Sequence, residues 1–390
     1  MIRELKQELE QLQALKLLRE LHPAVRLNGG LAEIKGKRVV DFTSWDFLNL
    51  SFDPRVKRSA QKRIEESGIA ASSPRLSTGS TDVHASTELR LSKFLGTDSA
   101  LLFSSKNQAL LTLITSLLTE RDVVLLDELS QSPASDAAFL VNAQATHFDS
   151  QKPESLEAEL EKQRFARRKL IVIETVSSIT GKPVDLPRLL LVAKKFDADV
   201  VLDESFAIGG FGIRGSGLSD GLILRDGILC VIADLSIGLA CYGAAIAGSK
   251  VLSDYLLSRS RTFSTETAFP HSIAAAVDTA LDIVELQPMQ RESLLLLSAK
   301  LQTGLSELGF LPAGTVRTPI VSLQFSKRSL ASEFAASVFQ RGFLVDVVPR
   351  GTQFNDSAIV RMVLRSSHSD KQIEQFLQSI ADIKSRLPKK

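Results

Sequence analysis

Residues Ala233–Lys250 read ADLSIGLACYGAAIAGSK. The stretch carries the end of one apolar run, ILCVIADL (Ile228–Leu235), and all of a second, GAAIAGS (Gly243–Ser249). A break punctuated by Ser and Gly lies between them at Ser236–Gly238. Short apolar runs bounded by turn residues predict strands buried on both faces. The same texture recurs upstream in SALLFSS (Ser99–Ser105), DVVLLD (Asp122–Asp127), KLIVIET (Lys169–Thr175) and DVVLDES (Asp199–Ser205). A buried helix, NQALLTLITSLL (Asn107–Leu118), falls among them. Strands separated by helices predict an α/β fold with a doubly wound, mainly parallel sheet. Ligands of such sheets sit beyond the carboxyl ends of the strands. Asp203, Glu204 and Ser205 lie at such an end, as do Glu174, Thr175 and Leu235–Gly238.

The texture changes near Ala274. Helical stretches at Ser272–Gln287 and Ser293–Leu308 precede TPIVSLQFS (Thr318–Ser326), FLVDVV (Phe343–Val348) and IVRMVL (Ile359–Leu364), and a helix over Asp370–Leu387 closes the chain. At the other end, Leu5, Leu9, Leu12, Leu15 and Leu18 recur at helical steps over Arg3–Leu21, and Pro23 stops the helix. A leucine stripe on a terminal helix needs a surface to cover it, either its own domain or a partner. The expected organisation is a helix and lead-in over residues 1–45, a large α/β domain over 46–273 and a smaller α+β domain over 274–390.

The 390 residues are 44% hydrophobic, ample for a sizeable core. A net charge of +2, one Trp and two Tyr leave little with which to hold nucleic acid. The two cysteines, Cys230 and Cys241, have neither disulfide-framework nor metal-site spacing, which suits a reducing cytoplasm. No apolar run approaches the ~20 residues of a membrane span. The expectation is a cytoplasmic protein, at most peripheral to a membrane.

Several residues can carry chemistry, each with a plainer alternative. Asp203, at the end of a buried strand, can hold a heteroaromatic nitrogen protonated or cap the next loop. Arg75 and His84 lie in the polar segment SPRLSTGSTDVH (Ser72–His84), as an anion loop and base or as a hydrogen-bonded turn. Arg361, on an apolar strand, must face a carboxylate ligand, a structural partner or solvent. Thr265 and Thr267 precede a turn at Pro270 and can bind phosphate or satisfy local backbone.

Taken together these segments resemble the α-oxoamine synthases, in order and over nearly the whole chain. The family includes 8-amino-7-oxononanoate synthase and serine palmitoyltransferase. DFTSWDFLNLSFDPRV (Asp41–Val56) is similar to the family's Asn-Asp-Tyr-Leu-Gly-Leu segment, with Trp45, Phe47 and Asn49 in place of Asn, Tyr and Gly. PRLSTGSTDVHASTE (Pro74–Glu88), FLGTDSALLFSS (Phe94–Ser105), AGSKVLSDYL (Ala247–Leu256) and AIVRMVLRSSH (Ala358–His368) carry the rest of the likeness. The resemblance implies the fold-type I architecture of pyridoxal-phosphate enzymes, with sites at a dimer interface. It also implies a reaction that joins an amino acid to an acyl-CoA and releases carbon dioxide. Asp203, Ser178, Gln131, Phe206, Thr267, Lys106 and Asn107 then fall at cofactor-binding positions, and Arg361, Arg75 and His84 at substrate-binding ones.

The departures matter as much. The Schiff-base lysine falls at Ile237, and Lys250 matches a separate surface lysine. The histidine that stacks on the ring becomes Gln131, Asp-Glu-Ala-His becomes Asp203-Glu204-Ser205-Phe206, and the phosphate-side Gly-Tyr becomes Lys106-Asn107. Thr267 matches the phosphate-binding Thr lent across the interface, or Thr265 does if one small gap is allowed. Isoleucine neither forms an imine nor moves a proton, and loss of a general base alone costs ~10²–10⁴ in rate. The pattern is similar to the lysine-less subunit of heterodimeric serine palmitoyltransferase, whose motif resembles DESFAIGGFG (Asp203–Gly212). The expectation is therefore no catalytic residue, no metal, no covalently held pyridoxal phosphate, and a chain inactive alone. It would be a pseudoenzyme of sphingolipid type, dimeric with a lysine-bearing homologue and meeting acyl-CoA and amino acid at the interface. The alternatives are an active synthase such as 8-amino-7-oxononanoate synthase, or a homodimeric ligand-binding non-enzyme.

Overall fold

The computed structural model describes all residues except 15–17, 19–20, 129, 131–132, 223–226, 314–315, 350–356 and 387–390. The strands run in chain order. β1 (Ala24–Leu27), β2 (Leu31–Ile34) and β3 (Lys37–Asp41) come first. β4 (Ser99–Phe103), β5 (Val123–Asp127), β6 (Gln144–Phe148), β7 (Lys169–Glu174), β8 (Asp199–Asp203), β9 (Ile228–Asp234) and β10 (Ala244–Gly248) follow, and then β11 (Ile320–Phe325), β12 (Phe343–Leu344), β13 (Asp346–Pro349) and β14 (Ala358–Val363).

The central sheet has the order β4-β10-β9-β8-β7-β5-β6. β10 runs antiparallel to both neighbours, while the β9-β8-β7-β5-β6 pairings are parallel. Side chains alternate across this sheet because the strand period is two. Val200 and Leu202 of β8 join one buried cluster, and Val201 joins the cluster on the opposite face. This is the doubly wound, mainly parallel sheet expected from the apolar runs, and the fold-type I arrangement that the resemblance implied. The carboxyl ends of β7, β8 and β9 bring Glu174, Asp203 and Asp234 to one edge.

FLVDVV, expected as one strand, splits at Val345. β12 pairs parallel with β3 in the N-terminal sheet, and β13 pairs with β14 in the sheet β11-β14-β13. The lead-in strands are thus tied to the C-terminal part of the chain. The fully buried Arg365 reinforces the tie through the Asp41 carboxylate at 3.2 Å. His368 packs on Phe42 with ring centroids 4.7 Å apart, accepts the Arg365 backbone N–H at Nδ1 and contacts the Asp41 carbonyl at 3.1 Å. A Cβ on Gly30 (φ +72°) would come within 2.2 Å of this ring, so the turn between β1 and β2 requires glycine.

The helix expected over Arg3–Leu21 runs Ile2–Ala14 and buries none of its residues. Leu5, Leu9 and Leu12 remain exposed on one stripe. Among the described residues no helix is long and apolar enough to cross a membrane.

Burial, with the Arg365 charge beside it, pushes the His368 ring down to about 4. The folded value lies below the unfolded value near 6.5, so the stabilisation is whole above about pH 6.5 and is lost as pH falls through about 4. Urea unfolding across this window is expected to show a loss of roughly 1–3 kcal/mol beyond that of a His368→Gln variant. Equal pH slopes in the two proteins would contradict it.

Candidate functional site

The site begins at the end of β8. The Asp203 carboxylate is 3% exposed and accepts the backbone N–H of Ser205 at 3.0 Å. Ser205 Oγ in turn accepts the Asp234 N–H at 3.0 Å, which joins the ends of β8 and β9. The second donor to Asp203 is Lys106 Nζ, also at 3.0 Å. Lys106 is the first residue of the helix Lys106–Leu117, where the Ser105 hydroxyl accepts the Gln108 N–H and caps the turn. β10 and β9 lie between β4 and β8 in the sheet, so this ammonium spans the carboxyl end of β9 and the amino end of the antiparallel β10.

Burial alone would lower the Lys106 ammonium, but the charges of Asp203 and Glu174 and the Asp203 hydrogen bond outweigh it and hold it well above its ordinary value. Lys106 is therefore a fixed cation at neutral pH. Glu174 is buried beside this pair. Its carboxylate accepts from Ser130 Oγ at 3.1 Å, Ser178 Oγ at 3.1 Å and the Ser178 N–H at 3.2 Å. Burial and the adjacent Asp203 charge push its carboxyl up.

An aromatic layer continues from the cation. Lys106 Nζ lies 5.3 Å from the Phe206 ring centroid, and Phe206 meets Trp45 edge-on at 4.9 Å. The Arg361 guanidinium stacks on Trp45 at 4.3 Å. Arg361 also donates to the Asp346 carboxylate at 2.6 Å and to the Ser178 carbonyl at 2.8 Å. Asp203, Lys106, Phe206, Trp45, Arg361 and Asp346 thus form one continuous chain of contacts. A cleft of about 510 Å³ opens beside it, lined in part by Arg26, Thr43, Trp45, Asp46, Ser236 and Cys241.

Ile237 sits in the turn between β9 and β10, 5% exposed and packed into the core. Asp234 Oδ1 accepts the Ser236 N–H at 2.9 Å and its hydroxyl at 2.6 Å, which shapes the turn. A Cβ on Gly238 would lie 2.1 Å from the Ile208 carbonyl oxygen, so the turn is pressed against the Ser205–Gly209 backbone. Glu204 is buried on that side and accepts from Thr175 Oγ1 at 2.6 Å, Ser219 N–H at 2.7 Å and Leu218 N–H at 2.9 Å. Burial raises its carboxyl.

Of the residues expected at the site, Asp203, Lys106, Phe206, Ser178 and Arg361 come together. Gln131 lies outside the described residues. Asn107 is exposed on the first turn of its helix, near Thr265 and Glu266 in a separate groove. Thr267 is exposed and bridges to Pro74. Arg75 forms a two-pronged pair with Glu88 at 2.7 and 2.9 Å. The fully buried His84 caps its helix with Thr81 and contacts the Phe269 carbonyl at 2.6 Å. Both side chains are thus engaged by partners within the chain. Sequence reasoning missed Asp346, Ser130 and the hydrogen-bonding role of Glu174. The signal for Asp346 is a lone acid in FLVDVV, and the register places it directly opposite Arg361.

A profile of the family described as aminotransferase class I and II matches residues 37–380. The 8-amino-7-oxononanoate synthase of Anaeromyxobacter dehalogenans (strain 2CP-1 / ATCC BAA-258) is 31% identical over 381 residues, covering 98% of this chain and 95% of that protein. The enzyme of the same name from Nitrosococcus oceani is 30% identical and covers 96% and 100%. Among solved structures, a serine palmitoyltransferase from S. paucimobilis with a bound PLP–myriocin aldimine superposes with a TM-score of 0.89. It shares 24% identity, over 97% of this chain and 96% of that one. The 8-amino-7-oxononanoate synthase of Francisella tularensis gives 0.77 at 22% identity, over 89% and 98%.

Replacing Glu204 by Leu strips the acceptor from two backbone N–H groups and a hydroxyl. Urea unfolding should register a loss of roughly 2–5 kcal/mol, while Glu204→Gln, which keeps one accepting oxygen but turns an NH2 toward a backbone N–H, should lose less than Glu204→Leu. Equal losses would show that packing, not hydrogen bonding, holds this turn.

Proposed function

The chain belongs to the aminotransferase class I and II family, and on that premise we propose that it is a non-catalytic α-oxoamine synthase homologue, the partner subunit of a lysine-bearing one. The family is one of pyridoxal-phosphate-dependent enzymes, in which the cofactor supplies an electron sink. The residues present here do not fit that group. The carboxylate suited to the ring nitrogen already holds Lys106, Ile237 offers no amine, and Phe206 supplies no hydrogen bond. No reaction step is assigned to this cleft. The observation that carries the reading is the Lys106–Asp203 pair.

Surface features support a partner. The leucine stripe of the helix Ile2–Ala14 is uncovered, and Thr267 is exposed. In the proposed complex the lysine-bearing subunit condenses an acyl-CoA with an amino acid, and this chain completes the interface. The relatives' names favour 8-amino-7-oxononanoate as the product class over a sphingoid base.

A second reading, an active 8-amino-7-oxononanoate synthase, has specific support. The relatives' names and their full-length identity favour it more than they favour a non-catalytic subunit. The retained Asp203, Arg361 and Arg75 also support it. One experiment separates the two. The purified chain is mixed with pyridoxal phosphate, an acyl-CoA and an amino acid, then co-expressed with each lysine-bearing homologue from its own genome. We expect no visible band of a lysine-bound cofactor and no carbon dioxide release from the chain alone, and a stable active complex with one homologue. Carbon dioxide release by the chain alone would establish the second reading.

A further inference from the structure

Three of the residues by which the chain departs from the α-oxoamine synthase pattern touch one another. Lys106 replaces Gly, Phe206 replaces His and Trp45 replaces Asn. Lys106 lies over Phe206, and Phe206 meets Trp45. The two ends of this row are charged groups suited to a ligand, Asp203 to a ring nitrogen and Arg361 to a carboxylate. Each already has a counterion from the chain itself, Lys106 and Asp346.

We propose that Lys106, Phe206 and Trp45 form a built-in plug that replaces the bound cofactor. The Lys106 ammonium stands in for a pyridinium against Asp203, and the Asp346 carboxylate stands in for a substrate carboxylate against Arg361. The physical reason is that an isolated buried carboxylate is costly, so a fold that keeps Asp203 without a cofactor needs another cation there. Lys106 reaches it from a capped helix start and fills the same edge of the sheet. The buried Phe206 and the half-buried Trp45 place apolar rings beside the pair, where a hydrogen-bonding side chain would face the ligand. The plug holds the cleft in one arrangement without any ligand.

The inference rests on the non-catalytic reading, but its test does not measure activity. Pyridoxine phosphate serves as the probe, because it keeps the ring nitrogen and phosphate and lacks the aldehyde that would attach to surface lysines. Equilibrium dialysis gives its affinity, and thermal unfolding gives its effect on stability. The intact chain is expected to bind weakly, with no shift in melting temperature. Lys106→Met should melt lower than the parent, bind the probe roughly tenfold or more tightly than the parent, and recover several degrees on adding it. Lys106→Gln, which keeps a donor to Asp203 and so protects the fold, should also bind more tightly than the parent. The double variant Lys106→Met/Asp203→Asn removes both charges and should show no such rescue.

An intact chain that binds as tightly as Lys106→Met overturns the proposal. So does a probe that fails to bind both single variants, or one that rescues the double variant equally. Any of these results leaves the co-expression experiment standing, because that experiment reads turnover in the partner's site.

Discussion

One ion pair organises this cleft. Lys106 and Asp203 meet at 3.0 Å at the carboxyl edge of a parallel sheet, the place where an α/β fold receives its ligand. Strand ends there collect unpaired polar groups, and this chain collects three carboxylates, Glu174, Asp203 and Asp234. Such a concentration of negative charge is tolerable only with a cation among it. Lys106 supplies that cation, and its position follows from the Ser105 cap that starts its helix beside β4. Removing either member of a buried pair typically costs about 3–5 kcal/mol, which makes the contact a structural requirement.

The neighbouring groups obey the same logic. The Arg361 charge is spread over the Trp45 face and the Asp346 carboxylate, and Nη1 donates to the Ser178 carbonyl, while the buried Nε has no hydrogen-bond partner. Ser178 also donates to Glu174, so Arg361 and Glu174 share a residue. Glu204, one position beyond Asp203, turns away from the cleft and pins the Leu218–Ser219 backbone. Two adjacent acids on one strand end thus have separate tasks, set by the alternation of the strand.

The turn that holds Ile237 takes its shape from its neighbours. Its shape depends on the Asp234 carboxylate and on Gly238 pressed against the Ile208 carbonyl, and neither involves residue 237. An isoleucine there packs into the core and leaves the frame intact. By contrast, the joining of the N-terminal strands to the C-terminal segment through β12, Arg365 and His368 has no strong periodic signature. FLVDVV reads as one strand because periodicity registers apolar texture, not which sheet each half will join.

The sequence by itself determined the order of the strands and helices and the family frame, because these depend on local apolar runs and on residue identity at fixed spacing. It also placed Asp203 and Arg361 at strand positions where a charge demands a partner. Only the tertiary structure decided who those partners are. Lys106 and Asp203 lie far apart in the chain, as do Trp45 and Arg361, and no local pattern encodes a contact between the start of one helix and the end of another strand. Sheet order and antiparallel register bring them together, and the need to neutralise buried charge makes the contacts stick.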